Sequence, residues 1–184
     1  LNCSMPALSA EQRVRLLELT SRVVSASPPP QPLTELCTPL LMQLELQLEP
    51  LEKLIQGSHA DSAALSLQMG ALAQVCRCVS VTLRQLEAGG GISEALMLHV
   101  WPIWDRALNG GIACSSGSGV AAECSEDAAL LLENVAALIE QCIKAVPSST
   151  LNQLLDPTAT SIVKAFSSSC SPMLLKVTCT LFDR

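Results

Sequence analysis

Tyrosine is absent from this 184-residue sequence, and Phe and Trp together bring the aromatics to only 2%. With Leu, Ala, Val and Cys supplying nearly all the apolar mass, the chain has the diet of helices and few of the residues that favour strands. Basic residues are also scarce: 11 Lys and Arg stand against 17 Asp and Glu, for a net charge of -6 and a pI near 4.9. That excludes a nucleic-acid footprint, which needs clustered cations over phosphates, and makes a basic protein the expected partner. A run of about 20 uninterrupted apolar residues, the length of a membrane span, is missing too; Glu133 and Glu140 interrupt the best candidate, 128–146. The expectation is a chain without membrane insertion.

Histidine is confined to His59, in a turn, and His99, in an amphipathic stretch, so no histidine dyad or ligand cluster can be assembled locally. Cysteine is abundant, at nine, but the number is odd and no secretory signal accompanies it. Cys37, Cys76, Cys142 and Cys179 lie in apolar helical runs and read as small core residues of a protein in a reducing compartment. Cys76-Arg77-Cys78 is too closely spaced for a zinc cluster and puts its thiols on different helix faces. Gly89-Gly90-Gly91 and Gly117-Ser118-Gly119 follow no strand and lack the Lys and Ser/Thr of a phosphate loop, so they read as linkers. No catalytic residue, cofactor site or metal site emerges, and the chain reads as a non-enzyme.

What is present is amphipathic helix after amphipathic helix. Ser9 is placed to cap 10–25, where Val14, Leu17 and Val24 share a face; a proline-rich linker, 26–32, follows. Thr34 opens a helix whose Leu33, Leu36, Cys37, Leu40, Leu44, Leu48, Leu51 and Ile55 recur at spacings of three and four. Pro39 and Pro50 predict a bend or break in it, foremost at Pro50. Gly57 ends it and Asp61 starts the next, with Leu65, Leu72, Val75, Cys76, Val79, Leu83 and Leu86 inward. Ser93 caps a helix carrying Leu96, Val100, Trp104 and Leu108, with a kink at Pro102 and an exit at Asn109-Gly110-Gly111 into a Gly/Ser-rich flexible loop, 110–125.

The clearest pattern, 126–146, sets Leu131, Val135, Leu138, Cys142 and Val146 inward and Glu133, Glu140 and Lys144 outward. The cluster Glu123, Glu126 and Asp127 suits the positive start of that helix and is also a surface a basic partner could meet. Asp156-Pro157 predicts the start of a shorter helix with Ile162, Val163 and Phe166, and Ser171-Pro172 the start of the last. Trp101 and Trp104 share a face, suited to core packing and, as tryptophans, to a partner interface.

About seven helices without a strand fit a bundle or a stacked solenoid. Several of them are apolar around much of their circumference, mean hydropathy is +0.38, and the chain starts at Leu1 and stops at Leu181-Phe182-Asp183-Arg184 in mid-pattern. These features favour a solenoid cut from something longer: one all-α domain over 1–184, an α-solenoid of HEAT-like antiparallel helix pairs with units of about 40–47 residues.

Three stretches, in order, resemble the middle of karyopherin-β nuclear transport receptors of the importin-13/transportin-3 group. They are Leu33-Thr34-Glu35-Leu36-Cys37-Thr38-Pro39-Leu40-Leu41; Val100-Trp101-Pro102-Ile103-Trp104-Asp105-Arg106-Ala107-Leu108, similar to the family's "IWP" helix; and 131–166, with its Glu133-Asn134-Val135 and closing Phe166. The resemblance implies a superhelix that wraps protein cargo, carries it between cytoplasm and nucleus, and answers to the Ran GTPase through repeats outside these residues. Residues that would face the cargo are not marked by it. A HEAT- or armadillo-type scaffold for complex assembly or trafficking is the alternative the same sequence allows.

Overall fold

The computed structural model describes residues 9–25, 31–56, 61–88, 94–115 and 125–183. Seven α-helices account for nearly all of these, and there is no strand among them: α1 (Ala10–Ser25), α2 (Gln31–Gln56), α3 (Ser62–Ala88), α4 (Glu94–Ser115), α5 (Ser125–Ala145), α6 (Ser148–Ser169) and α7 (Pro172–Phe182). The protein is all-α, as its composition requires.

Local signals set several helix starts. At α1 the Ser9 hydroxyl accepts from the Gln12 N–H (3.2 Å) while the Gln12 side chain accepts from the Ser9 N–H (2.9 Å), a reciprocal capping box. Asp61 caps α3 by accepting from the Ala63 N–H (3.1 Å), and Pro172 opens α7 directly after Ser171. Cys170 closes α6 in the left-handed conformation (φ 51°), its N–H reaching the Phe166 carbonyl; a β-carbon there is strained, and glycine is the usual occupant.

Other signals are overridden by packing. α2 begins at Gln31, inside the proline-rich segment 26–32, and runs unbroken through Pro39 and Pro50. α4 runs on through Pro102, as its apolar spacing predicts, whereas α6 carries Pro157 in its interior instead of starting there. A proline costs one helical hydrogen bond, and buried residues on both sides of Pro50, Pro102 and Pro157 hold those helices together. Gly110 and Gly111 do not end α4, which reaches Ser115; they let it approach its neighbours. A β-carbon on Gly111 would lie 2.8 Å from Leu132 Cδ2 of α5, and one on Gly110 would lie 3.3 Å from Leu51 Cδ2 of α2. The rest of the expected loop, with Gly117-Ser118-Gly119, falls outside the described residues, as do Gly57, Gly89-Gly90-Gly91 and Ser93.

The helices stack as two rows. In one, α1 packs on α3, α3 on α5 and α5 on α7; in the other, α2 packs on α4 and α4 on α6. The rows are joined within the pairs α2/α3, α4/α5 and α6/α7, so contacts run almost wholly to the next helix or the next but one. That connectivity is a solenoid's, where each pair is covered by its neighbours in sequence. Paired helices are antiparallel: Gln68, in the first turns of α3, donates to Gln47, in the second half of α2 (2.7 and 2.8 Å).

Within a row the helices are parallel, and cross-helix hydrogen bonds mark their register. Trp101 Nε1 donates to Thr158 (3.0 Å), Ser161 to Asp105 (2.5 Å) and Lys164 to Asn109 (3.2 Å), tying α4 to α6 at separations of 57, 56 and 55 residues. Arg106 ties α4 to Glu52 of α2 at a separation of 54. The period is longer than the expected HEAT unit, and the Gly/Ser segment is not the cause between α2 and α4, since Glu52 and Arg106 both precede it. Helices of 26, 27 and 22 residues lengthen the unit instead.

One apolar core runs from α2 to α7, with Leu44, Leu48 and Leu51, then Leu72, Cys76 and Val79, then Trp104, Leu131, Val135 and Leu138 fully buried. Each large aliphatic side chain removed from water contributes about 1.5–3 kcal/mol. A smaller cluster, Val14, Leu17 and Cys78, seats α1 on α3. The segment Ser62–Arg84 of α3, and not 128–146, is long and apolar enough to cross a membrane by length and composition; it is packed between α1, α2 and α5.

Two inward or outward assignments change. Glu140, expected outward, is buried, because α5 is covered by α3, α4 and α7 together. It accepts from Lys144 (2.6 Å) and from Lys176 of α7 (3.0 Å). Burial alone would push its pKa up, and the two lysines outweigh that and hold it below the ordinary glutamate value. Cys179, expected in the core, is exposed.

Candidate protein-binding surface

α2 turns its Leu44, Leu48 and Leu51 stripe into the core, yet it carries two further large apolar side chains outside that stripe. Met42 and Leu46, one turn apart, are 57% and 59% exposed. Glu45 and Glu49 alternate with them on the same side of the helix, and Arg106 of α4 reaches across. Together these five line a groove of about 370 Å³ between the two helices.

The charges in the groove are organised around Arg106. Its Nε and Nη2 donate to the two carboxylate oxygens of Glu52 at 2.9 and 2.7 Å, a bidentate fork that holds the guanidinium flat against α2. Those hydrogen bonds hold the Glu52 carboxyl below its ordinary value against its burial. Glu49 accepts from Lys53 (2.7 Å), which lowers its pKa as well. Glu45 is exposed and forms no ion pair among the described residues, although Arg106 lies near enough to feel its charge. Chemically the groove can take an apolar side chain on Met42 and Leu46 and a cation on Glu45. Off-stripe apolar residues flanked by glutamates are the sequence signal of this groove, and they lie opposite the inward stripe by which the helix is recognised.

The residues singled out from sequence fall mostly elsewhere. Trp104 is fully buried, and Trp101 packs edge-on against it (centroids 5.5 Å apart, 71° between planes) while donating to Thr158. The pair belongs to the joint between α4 and α6 and not to a free surface. Cys76 faces the main core, where burial pushes its thiol up to about 12. Cys78 faces the α1 cluster, and burial raises its pKa against the charge of Arg13. Both thiols stay protonated and unreactive at neutral pH. Cys142 is buried as expected.

At the start of α5, Asp127 accepts from Ser66 of α3 (2.5 Å), so it fastens the row as well as suiting the helix end; Glu126 is exposed, and Glu123 lies outside the described residues. So do His59 and the side chains of His99 and Cys37. Among the described residues no group of three or more His, Cys, Asp and Glu side chains comes together to hold a metal. No protein-family model, characterised protein or solved structure matches this chain.

Proposed function

We propose that this chain is a cargo-binding segment of a nuclear transport receptor of the importin-13/transportin-3 type, which carries proteins between cytoplasm and nucleus. The observation that carries the reading is the two-row stack. Parallel helices repeated at a near-constant offset present a continuous side, on which contacts to a protein partner can be spread. The resemblance of the Trp101-Pro102 helix and of the stretches around it to that family adds the specific direction.

The segment acts by shape and charge, not by chemistry. Helix pairs joined mainly to their neighbours can flex at each joint, so the stack closes around a partner through many modest contacts. The acidic balance suits basic cargo, and no cofactor is part of the mechanism. Response to Ran is assigned to repeats beyond these residues.

The test uses the full-length protein that contains this chain, offered purified Ran loaded either with a non-hydrolysable GTP analogue or with GDP. Selective retention of the GTP form is the expected result. Equal retention, or none, contradicts the transport reading and leaves a HEAT- or armadillo-type scaffold for complex assembly in its place.

A further inference from the structure

We propose that the groove between α2 and α4 is a docking site for a basic amphipathic segment of a partner protein. An apolar side chain of that segment rests on Met42 and Leu46, and a Lys or Arg binds Glu45. The proposal rests on the reading of the chain as a protein-binding solenoid and names the partner's chemistry.

Two observations choose this occupant. The floor is apolar and open, with a flexible methionine and a leucine that the core leaves out; such side chains adapt to another chain's apolar residues. Among the described residues the rim carries a net negative charge: Glu45, Glu49 and Glu52 stand there against Arg106 and Lys53. Arg106 feels all three carboxylates and is held by one, so it cannot swing out to meet an acidic ligand without breaking its fork on Glu52. An acidic segment would meet unsatisfied like charge at Glu45, and a purely apolar one would leave that carboxylate desolvated.

The experiment is fluorescence anisotropy with the intact chain and three labelled peptides of one length: an amphipathic Lys/Leu helix, its Glu/Leu counterpart, and a Lys/Gly peptide with no apolar side chain. Only the Lys/Leu peptide should bind firmly. Glu45→Lys should weaken it by roughly tenfold, and Leu46→Ser or Met42→Ser by about three- to tenfold. Glu133→Lys, which changes net charge equally but lies on exposed α5 surface, should have little effect. Circular dichroism melts check that the variants stay folded, which their exposure favours. Equal weakening by Glu45→Lys and Glu133→Lys would reduce the effect to general charge attraction and overturn the site. So would firm binding of the Glu/Leu peptide, or indifference to both apolar substitutions. These outcomes are separate from Ran capture: loss of this site leaves the transport reading standing, and peptide binding without a GTP preference places the same site on a scaffold.

Discussion

Gly70 and Gly111 both sit inside helices, where glycine costs backbone entropy, and the space around each decides whether that cost can be recovered. Nothing lies within 4 Å of a β-carbon built on Gly70, so Gly70→Ala should raise stability by about 0.5–1 kcal/mol. Gly111→Ala drives a methyl onto Leu132, at 2.8 Å from Cδ2 and 3.0 Å from Cγ, and should lower stability by about 1–3 kcal/mol. Urea titration of the two variants checks both signs at once. The same contrast explains what was legible at this scale. Ser9, Asp61 and Ser171-Pro172 were readable because a cap acts within one turn of its own helix. The role of Gly110 and Gly111 depends on residues of α2 and α5, which no local pattern reveals.

At the scale of elements, Glu140 holds α7 to α5. The lysines favour its charged form in the folded state, so its folded pKa is depressed and its contribution is complete above the unfolded value. That stability is then lost as pH falls through the lower, folded value. Glu140→Gln should cost about 1–2 kcal/mol at pH 7 and flatten the acid side of the stability curve, whereas the native chain should weaken below about pH 4.5. Thermal melts between pH 7 and pH 3 read both. The helical periodicity of α2 to α5 fixed their existence and inward stripes, because a stripe reports burial on one side. It set Glu140 outward, a position that burial of α5 by α3, α4 and α7 reverses, and it set Cys179 inward, where α7 leaves it exposed. The groove on α2 went unread for the complementary reason: Met42 and Leu46 oppose the stripe that identified the helix.

For the whole molecule, the all-α class and the stacking of helix pairs were legible in the sequence, whereas the register between the rows was not, since it is written in pairings more than fifty residues apart. A stack of pairs has an energetic consequence that a bundle does not share. Each pair is stabilised by its neighbours, so helices in the middle of a row are held from both sides and those at its ends from one. Hydrogen exchange at neutral pH, resolved by peptide, measures this directly. Slowest exchange in α3, α4 and α5, falling toward α1 and α7, is the predicted result; uniform protection of all seven helices, lost together in a single opening, would contradict the solenoid.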